Sequence, residues 1–227
     1  VYASWLCARG YRVHLVDPVP LHVEQAREAA AGSFTAALGD ARELTEADAS
    51  HDAVLLLGPL YHLMERADRV RALAQARRVV RPGGVVIAAV ISRYASLMDG
   101  FYRGFLDRPG FAAGVLDTLR TGQHRNPRRE QYMFTTAYFH DRDGLAAEVT
   151  GAGLDLDAIL PVEGPLYWAP GLADRLADPA QRELILDAIA SIEHDPAITG
   201  ASAHLLAVAH RGHARSHDLV RLWGHAS

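Results

Sequence analysis

Residues 11–20 read YRVHLVDPVP: an apolar run ends in an acid at Asp17, and a proline-flanked turn then opens a new segment. That order is expected of a strand in a parallel nucleotide-binding sheet, where an acid at the strand's carboxyl end meets a ligand and the chain turns into a helix. The next stretch, PLHVEQAREAAAG at 20–32, places Pro20 in a first helical turn and Gly32 at its end, the usual start and stop asymmetry. The preceding stretch, VYASWLCARG at 1–10, carries Tyr2, Trp5 and Leu6 at helical spacing and closes on Gly10, a C-cap residue. It contains no glycine-rich loop of the kind that precedes a second strand in such sheets. The segment nevertheless reads as a second strand, over 11–16, in a chain that begins inside a helix.

Outward from this segment, short apolar runs alternate with amphipathic stretches, which predicts repeated strand–helix units and a mostly parallel sheet. Further strands are expected at 34–38, 52–57 and 84–91. Between the last two, ERADRVRALAQARRVVRPGG at 65–84 sets Val70, Leu73, Ala76, Val79 and Val80 on one helical face, with Pro82, Gly83 and Gly84 as the stop. Residues 94–139 break the rhythm and hold nine aromatics, which predicts an inserted helical element. Its RTGQHRNPRRE stretch at 120–130 reads as a solvated basic loop. A helix at 141–152, a strand at 154–160, helices at 171–177 and 179–193 and a last strand at 202–211 follow, then a polar tail at 212–227. Asp178 and Pro179 announce the second of these helices as N-cap and first residue. No repeat or linker divides the chain, so one domain over 1–227 is expected.

With 227 residues, 49% of them hydrophobic, the chain can bury a substantial core. Its net charge of -4 gives no global positive field, which argues against nucleic acid or an anionic membrane surface as partner. All 23 basic residues are arginine; without lysine, Schiff-base chemistry and a phosphate-loop lysine are excluded. The single cysteine, Cys7, excludes an internal disulfide and a cysteine-rich zinc site and suits a reducing cytoplasm. No apolar run is long enough for a membrane span, so a soluble, cytoplasmic protein is expected. His210, His213 and His217 lack an adjacent pair of acids and read as tail residues, and His140 and His194 look no better, so no metal is expected.

Ligands of open parallel sheets sit beyond the carboxyl ends of the strands. There the sequence offers Asp17, then Asp40 in LGDAREL, then a Gly58–Pro59 turn in LLLGPLYHL that presents Tyr61 and His62. The series VHLVD, GDAREL, DAVLLLGPLYHL and ARRVVRPGGVVIAAVISRYAS resembles the class I S-adenosylmethionine-dependent methyltransferases, particularly bacterial small-molecule enzymes. The likeness continues loosely through FHDRDGLAAEVTGAGLDLDAILPVEGP. It implies an α/β fold: a three-layer α/β/α, Rossmann-like sheet of seven strands in the order 3-2-1-4-5-7-6, the last strand antiparallel. It also implies S-adenosyl-L-methionine as cofactor and a small-molecule methyl acceptor as partner.

Carried over by position, Asp17 resembles the ribose-binding acid, with Pro18 and Val19 as further cofactor contacts and Val19 under the adenine. Asp40 resembles the acid that meets the adenine amino group, and Ala41 supplies a backbone contact. Leu57 and Gly58 resemble the turn beside the methionine portion. Tyr61 and His62 would face the acceptor, Tyr61 orienting it and His62 acting as base where a hydroxyl or amine must lose a proton. Arg93 and Tyr94 would line the same mouth, and residues 94–139 fall where a substrate cap is often placed.

The family's first strand and glycine-rich loop have no counterpart, so the pattern is N-terminally truncated. The resemblance puts that strand at the sheet's centre, which predicts weak cofactor binding and marginal stability for the 227 residues alone. Simpler readings of two candidates are a packing role for the Tyr61–His62 pair and a turn role for Asp40. Two rival functions are an NAD(P)-dependent oxidoreductase and a non-catalytic remnant that serves as a binding module.

Overall fold

The computed structural model describes residues 1–127, 129–131 and 133–212. Arg128, Tyr132 and residues 213–227, which include His213, His217 and all of the predicted tail but Gly212, lie outside the described residues. Contacts gather into two units, Val1–Ala47 and one that begins at Asp48.

The first unit runs α1 (Tyr2–Cys7), β1 (His14–Asp17), α2 (Pro20–Ala30) and β2 (Thr35–Leu38). β1 and β2 are parallel, with His14 opposite Thr35 and Asp17 opposite Leu38. Parallel strands need a crossover, and α2 supplies it. Pro20 starts the helix, Ala31 and Gly32 in left-handed conformation end it, and the Arg27 guanidinium donates to the Ala36 carbonyl at 3.0 Å. Ala3, Ala30 and Phe34 form the core, with Cys7, Val13, Leu15 and Ala26 packed against them.

The second unit begins with β3 (His51–Leu56), α3 (Pro59–His62), α4 (Arg66–Val79), β4 (Val80–Ile91), α5 (Ala95–Arg103) and α6 (Phe111–Thr121). It continues with β5 (Gln123–His124), β6 (Ala137–Tyr138), α7 (Arg142–Gly151), β7 (Asp155–Pro161), α8 (Leu172–Ala177), α9 (Pro179–Ala190) and β8 (His204–His210). Its main sheet has the order β3-β4-β8-β7; β3 and β4 are parallel, and β8 is antiparallel to both neighbours. The pairings β2-β1 and β3-β4-β8-β7 reproduce the 3-2 and 4-5-7-6 portions of the expected order. Asp178 caps α9 by accepting from the Gln181 amide at 3.0 Å, as its sequence position predicts. Among the described residues no helix is long and apolar enough to cross a membrane.

Several boundaries shift by a few residues, and two departures change the architecture. Val80 belongs to the strand: α4 ends at Val79, and Val80 is already extended and fully buried opposite His51. The arginine at the end of β8 explains the early exit, because the Arg211 guanidinium donates to the carbonyls of Arg78 (2.8 Å) and Val80 (2.7 Å), drawing the chain out of the helix. The Pro-Gly-Gly stretch is thereby a strand irregularity rather than a helix stop. The aromatic insertion is helical only as far as Thr121; beyond it, β5 and β6 form a short antiparallel ribbon joined by an irregular loop.

At Gly84 the backbone passes so close to β3 that an added Cβ would lie 2.6 Å from the Asp52 carbonyl oxygen. Gly84→Ala should therefore destabilise the protein by about 1–3 kcal/mol. Gly114→Ala, inside α6 where an added Cβ meets nothing within 4 Å, should instead stabilise it by about 0.5–1 kcal/mol. Urea denaturation of the two variants checks the opposite signs.

Candidate functional site

In the first unit, Asp17 and Asp40 lie at the carboxyl ends of adjacent parallel strands, Asp17 as the last residue of β1 and Asp40 two residues after β2. The Asp17 carboxylate is half-buried. Its Oδ1 accepts from the Val19 amide at 2.8 Å and lies 3.1 Å from His22 Nδ1, while Oδ2 has no protein partner among the described residues. This turn is why Asp17 projects beyond the strand: its own side chain closes the Asp17–Pro18–Val19 corner before Pro20 starts α2. Pro18 and Val19 are exposed beside it. An open groove of about 330 Å³ is lined by Leu15, Asp17, His22, Ala26 and Phe34.

Asp40 is more committed. Its Oδ1 accepts from the Arg42 amide (2.8 Å), and the Arg42 guanidinium grips both oxygens, with Nη2 2.7 Å from Oδ2. Ala41 sits inside that turn, so the turn role is realised.

In the second unit, Leu57 and Gly58 follow β3, and Gly58 is the N-cap of the short helix α3. The Tyr61 hydroxyl folds back to 3.6 Å from where a Gly58 side chain would begin. Tyr61 and His62 have ring centroids 4.6 Å apart. Phe134, from the loop between β5 and β6, meets both, 6.2 Å from Tyr61 edge-on and 6.4 Å from His62 at 25°. The insertion thus reaches the predicted acceptor residues through Phe134. Although His62 is exposed, the partial burial of its ring lowers its pKa.

Arg93 and Tyr94 do not join this cluster. Arg93 turns to the segment before α7, pairing with Asp141 at 2.6 Å and donating to the Tyr138 hydroxyl and Phe139 carbonyl. Tyr94 lines a separate cavity of about 310 Å³ with Ser92, His140, Thr199 and Leu205.

Sequence reasoning missed the strongest polar feature, a buried cluster of Arg69, Glu148 and His140. Arg69 on α4 and Glu148 on α7 are 2% and 3% exposed and meet bidentately, with Nη2 2.7 Å from Oε1 and Nε 3.0 Å from Oε2. Arg69 Nη1 donates to the carbonyls of Leu63 (2.9 Å) and Met64 (2.8 Å), directly after His62. Its guanidinium lies over the Tyr138 ring at 3.5 Å. The residues that carry Tyr61 and His62 are therefore pinned from below by one arginine. A signal was available: Arg69 falls on the stripe of Ala72, Leu73 and Ala76, and Glu148 on that of Leu145 and Val149, and opposite charges on two buried stripes must find each other.

Burial alone would raise the pKa of Glu148, but hydrogen bonds from His140 and Arg69, with their charges, hold it low. Burial lowers that of His140 despite the Glu148 carboxylate. The geometry agrees: His140 Nε2 lies 3.1 Å from Glu148, and among the described residues its buried Nδ1 has no partner to stabilise a second proton. Across the sheet, Glu163 holds His204 and the Ser202 hydroxyl at the junction of β7 and β8. The hydrogen bond that His204 donates to the Glu163 carboxylate, ahead of the opposing effect of burial, raises the His204 pKa.

Residues 1–84 match the family model described as a methyltransferase domain. Among solved structures, a SAM-dependent methyltransferase from Methanosarcina mazei is similar at 14% identity and a TM-score of 0.62, covering 93% of this chain and 87% of its own. An S-adenosylmethionine-dependent methyltransferase from Mesorhizobium loti is similar at 15% identity and a TM-score of 0.58, covering 92% and 85%. The [4+2]-cyclase SpnF is similar at 14% identity and a TM-score of 0.54, covering 93% and 71%. At such identities the likeness is one of fold.

Two measurements probe the ionic clusters. Arg69→Met strands the Glu148 charge and should cost about 3–5 kcal/mol in urea denaturation; adding Glu148→Leu should recover part of the loss, since an apolar pair replaces a buried ionic one at little cost. The second probe is pH. His124 and His140, their pKa values lowered chiefly by burial, stay neutral when folded but protonate near pH 6.5 when unfolded, so both erode stability below about that pH. His204 opposes them: its contribution is full below about pH 6.5 and fades as pH rises through its folded value. Glu163→Gln should therefore lose more stability than the parent between pH 7.5 and 5.5, and equal losses would contradict the assignment.

Proposed function

We propose that the chain is a class I S-adenosylmethionine-dependent methyltransferase that methylates an oxygen or nitrogen of a small-molecule acceptor, a reading supported by the methyltransferase-domain match over residues 1–84. The observation that carries this reading is the Asp17 carboxylate. It is half-buried at a strand end, with one oxygen used to shape its turn and the other unpaired among the described residues. Two adjacent ribose hydroxyls need such an acceptor.

The remaining assignments follow the sequence. In the first unit, Asp17, Pro18 and Val19 serve the nucleoside, with Asp40 and Ala41 at the adenine. Asp40 fits less freely, since Arg42 holds both its oxygens, but a carboxylate has about four acceptor positions and can accept an amino group as well. In the second unit, Leu57 and Gly58 serve the methionine end, where the lack of a side chain at 58 lets a ligand approach the backbone.

Bound S-adenosylmethionine supplies a methyl group already activated on a sulfonium sulfur. The protein's own task is alignment and exclusion of water. Tyr61 orients the acceptor. His62, its proton affinity reduced by partial burial, is neutral near pH 7 and can take the acceptor's proton. Tyr94 lines its own cavity beyond β4, and Arg93, paired with Asp141, supports the fold rather than the acceptor. The half-buried Cys7, the chain's only cysteine, fits a reducing cytoplasm.

Titration calorimetry with S-adenosylhomocysteine tests the proposal. Asp17→Asn keeps the turn acceptor but loses the charge, and should weaken binding about tenfold or more; Asp40→Asn should weaken it less. Unchanged affinity in Asp17→Asn, or binding of NADH in place of S-adenosylhomocysteine, would refute it.

A further inference from the structure

Phe134 is 46% exposed, yet the loop that carries it is fastened by buried polar side chains. His124, 4% exposed, bonds at both ring nitrogens: Nε2–H donates to the Phe134 carbonyl at 3.2 Å, and Nδ1 accepts from the Ser96 hydroxyl at 3.1 Å. Asn126, 8% exposed, donates to the carbonyls of Glu130 (2.9 Å) and Met133 (3.2 Å) and accepts from the Glu130 amide (2.8 Å). The Asn126 amide in turn donates to the Thr136 hydroxyl. Below Phe134, the Phe139 ring stacks on His124 at 4.8 Å with the planes only 4° apart. Burying this much polar chemistry to hold one apolar ring in water has no benefit for packing. It has a clear benefit for binding, because an aromatic side chain already fixed in place gives up little entropy when a ligand covers it.

The ring is held beside His62, itself exposed, and beside Tyr61, whose hydroxyl lies over Gly58. We propose that Phe134, His62 and Tyr61 form a stacking platform for a planar aromatic methyl acceptor, with its reactive hydroxyl or ring N–H toward His62 and Gly58. The inference rests on the methyltransferase reading for the word acceptor, but the platform itself does not. Stacked rings gain from the match of a π face with a π face or edge, so a flat ring is favoured over a saturated one of equal size. His124 acts as a positioning residue: it touches the platform only through the Phe134 backbone.

The test uses the full chain and two probes, 2-naphthol and its ring-saturated analogue decahydro-2-naphthol, with naphthol binding followed by fluorescence polarisation. The parent protein should bind 2-naphthol, and the saturated analogue should compete at least about tenfold less well. Phe134→Ala should weaken naphthol binding by about tenfold and Phe134→Leu nearly as much, whereas Phe134→Trp should retain it, with S-adenosylhomocysteine affinity unchanged in all three. Equal competition by the saturated analogue, no naphthol binding, or full binding by Phe134→Ala would each overturn the platform. Naphthol binding by a protein whose S-adenosylhomocysteine affinity is unchanged in Asp17→Asn would overturn the methyltransferase reading and leave the platform standing.

Discussion

A guanidinium cannot shed its charge, so burying one commits the fold to surrounding it. Arg69 is surrounded on every side: a carboxylate takes Nε and Nη2, two main-chain carbonyls take Nη1, and the Tyr138 ring covers its face. Lysine offers no planar fork and could not meet these demands together. The consequence is positional. One side chain joins α4, the chain just after α3, α7 and the short strand β6, and the aromatic residues at the carboxyl rim of β3 inherit their placement from it.

The two ends of the proposed chemistry rest on different physics. The nucleoside end is built from local turns, in which Asp17 and Asp40 each fold back on amides two residues ahead. Such turns form from a few contiguous residues and leave their marks in sequence. The acceptor end is built from contacts between residues far apart in the chain, Tyr61 with Phe134 and Arg69 with Glu148.

That difference explains what could be read in advance. The strands near 14–17, 35–38 and 51–56, with Asp17 and Asp40 at the ends of the first two, were legible because apolar runs, prolines and glycines mark them within a few residues. The Arg211 grip that ends α4 at Val79 was not, because its two partners are more than 130 positions away. Arg93 shows a related limit: proximity to a strand end fixes where its backbone lies, but Asp141 decides where its side chain goes. Arg69 shares the buried face of its helix with Ala72, Leu73 and Ala76, and its partner Glu148 is 79 positions away. Local pattern reports propensity and punctuation, whereas long-range pairing decides which charges are buried.

In the order β3-β4-β8-β7, the strand with the highest residue numbers among the described residues occupies an interior place. On the ribosome, β4 and β7 emerge with facing edges that have no ladder partner until residues 204–210 leave the exit tunnel. Vectorial synthesis therefore holds the main sheet open until β8 has emerged, and closure of its middle is a long-range event that waits for it. A stalled or shortened product that stops before β8 would expose two hungry edges at once, the kind of species that chaperones and proteases intercept.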